Sequence, residues 1–346
     1  MLKFIDGFDQ YGTVASAPSG IEEVWPSNNN PVNFRVRAGR IGGESLELVV
    51  SSGTGFITTK NLGNLATIIS GVALNVQNAL TTNIIMEIRE DDNTTQGFNV
   101  LLNSDGKLSA RRGTTTLATT AVAQVVLNTW VYIEMKVSVA EAGSYDIQVN
   151  GVSVLSNGSV DTRAGTTNNY GNRVRLYGPV GGAGSGHFYD DFYVCDATGS
   201  VNNDFLGDRR VVTIFPNADT ADEDFALSAG SDSFALLDDN GLDDDTTYVE
   251  SATVTDRDLF DFENVGALAN INGIQHSVIA RKTDVDNFEL DLVTKSSSTT
   301  DVAASQTVGS TSYDSFFRIQ ELDPNTAAAW TGTNLDAAQF GFDVGS

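Results

Sequence analysis

Cysteine and histidine are nearly missing from this chain: 346 residues carry one of the first and two of the second. A single cysteine, Cys195, closes no intrachain disulfide, so stability has to come from packing or assembly. It follows the apolar run Phe192, Tyr193, Val194, where a buried, inert thiol is expected rather than a nucleophile. His187 and His276 stand far apart, with no second His or Cys at ligand spacing, which leaves a structural zinc site without support. Basic residues are also scarce. Lys and Arg number 20 against 45 Asp and Glu, a formal net charge of -25, and such a polyanion disfavours nucleic acid backbones and anionic membranes as partners. No segment approaches the roughly 18 apolar residues of a membrane span. The opening Met1-Leu2-Lys3-Phe4-Ile5-Asp6 has no hydrophobic core before its first acid and does not read as a signal peptide. A protein made in a cytoplasm and released by lysis or inside a particle is the resulting expectation.

Short alternating segments separated by Gly, Asn, Asp and Ser are abundant, the pattern of strands with one face in a core and one in water. Phe34, Val36 and Ala38 alternate with Arg35 and Arg37. Ile84, Met86 and Ile88 alternate with Glu87 and Arg89. Phe98, Val100 and Leu102 lead into a turn at Ser104-Asp105-Gly106. In the clearest segment, Trp130 to Val139, Val131, Ile133, Met135, Val137 and Val139 share one face and Tyr132, Glu134, Lys136 and Ser138 the other. Tyr145, Ile147 and Val149 then meet Asn150-Gly151, the strongest hairpin signal in the chain.

The length favours two domains. Charge divides unevenly about Gly207, net -6 before it and net -19 after it, and from about Arg209 the texture changes to acidic loops between short apolar segments. Residues 1–207 and 208–346 are therefore expected to form two β-sandwich domains, the second acidic and suited to assembly or display. Within the second, Val211 to Phe215, Phe234 to Leu237, Leu259 to Phe262, Gln275 to Ala280, Phe288 to Val293, Phe316 to Ile319 and Phe340 to Val344 read as strands, with a short helix near Asn334 to Gln339.

Catalytic motifs fail one by one. Gly182-Ala183-Gly184-Ser185-Gly186 is not a nucleophile elbow, and His187 reads as a solvent-facing strand residue. Asp190 and Asp191 are adjacent on a strand, so alternation sends them to opposite faces and they cannot flank one glycosidic bond. The acidic run Asp238, Asp239, Asp243, Asp244 and Asp245 invites calcium. With Gly241 at the sixth position of an EF-hand, however, Leu236 and Thr247 fall where acids are required, so the run reads as a solvated acidic turn or a looser calcium site. No other cofactor is implied. Trp25, Tyr170 and Tyr177 lie near turns and are candidates for stacking on sugar rings, with packing in the core or at its rim as the competing reading.

The ordered elements Trp130 to Val137, Tyr145 to Gly151 and the closing Tyr189-Asp190-Asp191-Phe192-Tyr193-Val194 resemble a concanavalin A-like, laminin-G-like jelly roll over roughly the first 200 residues. That resemblance implies a closing strand paired beside an N-terminal strand near Phe4-Ile5-Asp6-Gly7-Phe8. The whole chain, including Phe317-Arg318-Ile319, Asp323-Pro324-Asn325-Thr326, Trp330-Thr331 and Phe340-Gly341-Phe342, is similar to structural proteins of tailed bacteriophages. This implies a non-enzymatic virion protein, on the tail as a fibre, spike or decoration and in contact with the host surface. Alternatives are a capsid or head decoration, a free lectin-like carbohydrate-binding protein and a polysaccharide-degrading enzyme. The implied partners are other virion proteins, copies of itself in a homo-oligomer, and a host-surface glycan.

Overall fold

The computed structural model describes every residue except 30–33, 50–54, 91–95, 164, 180–185, 267, 269, 285, 287 and 346. The nucleophile-elbow test on residues 182–186 lies largely outside the described residues. Two units, Met1–Val212 and Thr213–Ser346, divide the chain.

The first unit is a jelly-roll β-sandwich of two antiparallel sheets. In the eight-stranded sheet the strands lie in the order Val152–Val160, Gly143–Val149, Val131–Ser138, Thr67–Gln77, Gly186–Asp196, Glu44–Leu48 and Arg35–Ala38, and Leu2–Asp6 also pairs with Gly186–Asp196. The seven-stranded sheet runs Thr115–Thr119, Leu108–Arg112, Phe98–Leu102, Asn83–Arg89, Arg173–Tyr177, Phe56–Thr58 and Ser27–Asn29. Alternation explains the core between them. Val131, Ile133, Met135 and Val137 are buried from the first sheet, and Met86, Ile88, Val100, Ala110, Ile57, Val174 and Leu176 from the second.

Several sequence expectations are met residue for residue. Val149 pairs with Val152 across Asn150-Gly151, and both turn residues take positive φ, 50° and 76°, as a type I′ hairpin requires. Ile5 pairs with Tyr193 and Asp6 with Phe192, placing the N-terminal strand beside the closing one.

His187 is a correction. It belongs to Gly186–Asp196, where every residue is buried, because this strand is flanked by Thr67–Gln77 and Glu44–Leu48 and covered on both faces. Nδ1 of His187 lies 2.8 Å from the Tyr177 carbonyl, and desolvation pulls its pKa down to about 4.

The boundary between units falls at Val212 rather than Gly207. Residues 208–211 are tied to the first unit: Asp208 pairs with Arg40 at 2.6 Å, the Arg209 carbonyl accepts from Arg40 Nη2, and Val211 N donates to Asp191 Oδ1 at 2.8 Å.

The second unit is a smaller β-sandwich. Its main sheet holds Pro216–Glu223, Arg257–Phe262, Gln339–Val344, Phe288–Ser296 and Thr299–Val302, with Gln306–Val308 also pairing to Phe288–Ser296. The ribbon of Ile274–Ala280 and Asp314–Gln320 closes the core, where Phe316 joins Phe260, Leu290, Leu292, Val308 and Phe342 and Val278 packs against them. Two expected strands differ. Residues 211–215 form no strand, and Phe234–Leu236 is a single 3-10 turn. The helix is Gly332–Asp336 rather than 334–339, since the Thr331 hydroxyl caps it by accepting from Asn334 N at 3.1 Å and so sets its start.

Candidate functional site

Strand register in the seven-stranded sheet builds a polar row across its outer face. Thr116 is paired with Arg111, Arg111 with Asn99, Asn99 with Glu87, Glu87 with Arg175, Arg175 with Thr58 and Thr58 with Ser27. Directly opposed residues share a face, so these seven side chains stand on the face turned away from the core. Neighbouring positions add Arg89 opposite Arg173 and Tyr177 opposite Phe56.

The middle of the row is buried and its ends are open. Glu87 and Asn99 have no exposed surface and Arg175 has 4%, whereas Arg111, Arg173 and Phe56 are half-buried and Thr116 is exposed. Glu87 accepts from the Tyr177 hydroxyl and from Arg89 Nε at 2.9 Å, and Arg89 Nη2 donates to Tyr177 at 3.2 Å. Desolvation raises the Glu87 pKa, with Arg89 and Tyr177 pulling it back. The Arg175 guanidinium lies 3.8 Å from the Phe56 ring centroid, and its Nε donates to Thr58 Oγ1 at 2.7 Å.

Hydrogen-bonding capacity is left over along this row. Glu87 Oε1 and Asn99 Oδ1 are acceptors without a partner, and Arg111 Nε and Arg173 Nε are donors without one. Buried polar atoms without partners are costly and uncommon, and here both kinds share one face.

Of the three aromatic candidates, only Tyr170 keeps access to solvent, being half-buried. Trp25 is a correction. It is fully buried among Phe4, Phe8 and Phe192, with ring centroids 5.3 to 5.9 Å away, and its Nε1 donates to Asp6 at 2.7 Å. Asp6 also accepts from Tyr11, Phe8 N and Gln10, yet desolvation still leaves its pKa raised. Tyr177 is likewise buried, at 6% exposed, its hydroxyl committed to Glu87. It supports the row without offering a ring to stack on.

The acidic run of the second unit is dispersed rather than convergent. Asp239 and Asp243 both accept from Thr247 Oγ1. Asp245 is paired with Arg281 at 2.7 Å and accepts from Tyr313. Asp238 and Asp244 are exposed. Among the described residues no three Asp, Glu, His or Cys side chains come together to hold a metal.

Asp190 and Asp191 overturn the alternation argument. The register shifts between Asp190 and Tyr193 and Asp191 takes φ 54°, a bulge that lets both carboxylates meet Arg40. Asp190 Oδ2 accepts from Arg40 N at 2.7 Å, and Asp191 Oδ2 from Arg40 Nη2 at 2.8 Å. Burial, reinforced by the Asp191 charge, pushes the Asp190 pKa up to about 8. Residues 206–211 lie over this part of the eight-stranded sheet: Leu206 N donates to the Tyr193 hydroxyl and Gly207 N to Glu134 Oε1. The tyrosine reaches that position because Gly71 lies beneath its ring, where any Cβ would collide. The cluster is thus closed by the protein's own chain. A cleft of about 650 Å³ farther along this face, between Lys136, Asp146, Gln148, Asn157 and Phe205, has its one cation paired with Asp204 at 2.9 Å.

Sequence reading passed over the arginine row, although one signal was present. In Arg173-Val174-Arg175-Leu176-Tyr177, alternation already puts two arginines and a tyrosine on one face of a strand, an unusual grouping in so acidic a chain.

No protein-family model matches the sequence, and no curated protein does. Solved structures share parts of the fold at low similarity. An endo-β-1,4-glucuronan lyase from the fungus Trichoderma reesei is 14% identical over 49% of this chain and 90% of its own, with a TM-score of 0.37. Alginate lyase Aly36B is 10% identical over 56% and 96%, with a TM-score of 0.41. Carbohydrate-binding module CBM66 from Bacillus subtilis is 10% identical over 49% and 93%, with a TM-score of 0.32.

Proposed function

We propose that the first unit binds a carbohydrate chain across the outer face of its seven-stranded sheet, without transforming it. The observation that carries this reading is the polar row itself, whose solvent-reachable members Thr116, Arg111 and Arg173 offer hydrogen-bonding side chains on the same face as the half-buried Phe56 ring. A sugar hydroxyl both donates and accepts, so a saccharide laid on this part of the face can accept from the arginine side chains and exchange hydrogen bonds with the Thr116 hydroxyl. Phe56, half-buried under the Arg175 guanidinium, adds an apolar patch of the kind sugar rings pack on. The row contributes one carboxylate, Glu87, already engaged by Tyr177 and Arg89, whereas glycoside hydrolysis takes a pair. The setting we propose is the tail of a bacteriophage, with this face turned to the host surface. It rests on the resemblance of the whole chain, including Phe317-Arg318-Ile319, Trp330-Thr331 and Phe340-Gly341-Phe342, to structural proteins of tailed bacteriophages.

A glycan array with the full chain tests the binding. Captured glycans are expected, with loss of signal in Phe56→Ala and Arg111→Ala variants that retain the wild-type thermal transition. Capture of nothing, or undiminished capture by both variants, would overturn the reading. Mass spectrometry of washed particles tests the setting, and the protein's absence from them would remove it.

A further inference from the structure

We infer that the cleft on the outer face of the eight-stranded sheet is a second ligand site, which takes a short neutral oligosaccharide. It lies on the other sheet from the row that carries Arg111 and Arg173 and does not depend on what binds there. Register builds its floor. Thr67 is opposed to Ser138, Ser138 to Ser144, Lys136 to Asp146 and Glu134 to Gln148. Ser144, Asp146 and Gln148 alternate with the buried Tyr145, Ile147 and Val149, so their side chains share the face turned away from the core. The volume of about 650 Å³ falls within the roughly 300 to 1,000 Å³ of small-ligand sites.

The polar groups of this floor are free and within reach of solvent. Ser138, Ser144 and Gln148 are half-buried. Among the described residues their side chains make no hydrogen bond, and none of their polar atoms is shut off from solvent. Asp146 accepts from Ser153 Oγ through Oδ1 at 2.6 Å and keeps Oδ2. Lys136 Nζ gives one of its three hydrogens to Asp204 at 2.9 Å and keeps the others. Sugar hydroxyls donate to the carboxylate and the Gln148 carbonyl and accept from the ammonium and the amide, so neighbouring hydroxyls of one ring pair with both kinds of group.

The wall is set before any ligand arrives. Phe205 lines the cleft and is half-buried, and the chain on either side of it is tied down. Asp204 is held by Lys136, Leu206 N by the Tyr193 hydroxyl at 3.1 Å and Gly207 N by Glu134 Oε1 at 2.8 Å. An apolar ring fixed in this way loses little freedom when a sugar packs on it.

Charge and length define the ligand. Asp146 and Asp204 outnumber Lys136, the one cation of the cleft, in a chain of net charge -25, so an acidic sugar is repelled and a neutral one is not. Ser144 and Gln148 stand four residues apart on one strand, about 13 Å. One ring does not span that distance, so a ligand meeting both is an oligosaccharide.

Calorimetric titration of the full chain with cellotriose, maltotriose, mannotriose, chitotriose and trigalacturonate tests the assignment. At least one neutral trisaccharide should bind, and trigalacturonate about fivefold more weakly or worse. Gln148→Ala and Phe205→Ala should each weaken the neutral sugar about fivefold, and Ser144→Trp, which fills the cleft, should abolish its binding. Gln148 has no partner to lose, so its variant keeps the fold and carries the test if Ser144→Trp does not. Neutral binding lost in Phe56→Ala and untouched in the cleft variants would overturn this site and leave the seven-stranded face standing. Trigalacturonate bound as tightly as the neutral sugars would overturn the neutral class. Binding of no trisaccharide would overturn the site, while the glycan array with its Phe56 and Arg111 variants decides the other face separately.

Discussion

Replacing Asp190 by asparagine should change how the stability of the first unit depends on pH. The wild-type carboxyl has a pKa of about 8 in the folded protein against 3.8 as a model value, because burial withdraws solvent from the charged form and Asp191 lies beside it. A raised folded pKa means that the native state holds the proton more tightly than the unfolded chain. The contribution is therefore fully present below about pH 4 and is lost as pH rises toward 8. Between pH 5 and pH 7 the unfolded carboxyl is almost wholly ionised while the folded one stays protonated, so the loss runs at nearly 1.4 kcal/mol per pH unit and totals about 2.5 kcal/mol. Asparagine keeps the shape of the protonated acid and does not titrate. The stability of Asp190→Asn relative to wild type should thus rise by about 2.5 kcal/mol from pH 5 to pH 7, or roughly 5 to 10 °C in the transition of a unit of this size, and level off above pH 8. The comparison cancels the opposing contribution of His187, which both proteins share. Thermal melts at half-unit pH intervals supply the measurement. A difference that is flat across this range, or that narrows as pH rises, would refute the claim that Asp190 is buried as a neutral acid beside Asp191.

Trp25→Ala should destabilise the first unit by about 3 to 5 kcal/mol, the usual cost of emptying a large aromatic site, and leave Asp6 with one donor fewer. Where the variant is folded, its polysaccharide affinity should match wild type; selective loss of affinity with unchanged stability would restore Trp25 as a ligand contact. In the second unit, desolvation and the nearby Arg318 charge hold the His276 pKa down at about 3. A depressed base gives stability that is intact above about pH 6.5 and lost as pH falls toward 3. His276→Gln should accordingly lessen the acid destabilisation of that unit by about 1.6 kcal/mol between pH 6.5 and pH 5, and identical acid limbs in variant and wild-type melts would contradict the burial of this ring.

Local alternation was sufficient to establish much of the architecture. Val131 to Val137 had to present four apolar side chains to a core, and Asn150-Gly151 had to turn a hairpin, because strand period and turn dihedrals are properties of a few consecutive residues. That is why the β class and the pairing of the first strand with the closing one were legible. Alternation says which residues share a face, but not what lies over that face. Trp25, Tyr177 and His187 looked able to meet solvent until neighbouring elements covered them. Asp190 and Asp191 were sent to opposite faces by a rule that a single residue at positive φ suspends. The proposed binding row lies at the far end of this scale. Ser27, Thr58, Glu87, Asn99, Arg111, Thr116 and Arg175 each come from a different strand, and no spacing along the chain relates them. Only the register of seven strands brings them into line, since a sheet joins residues across its hydrogen bonds and not along its sequence.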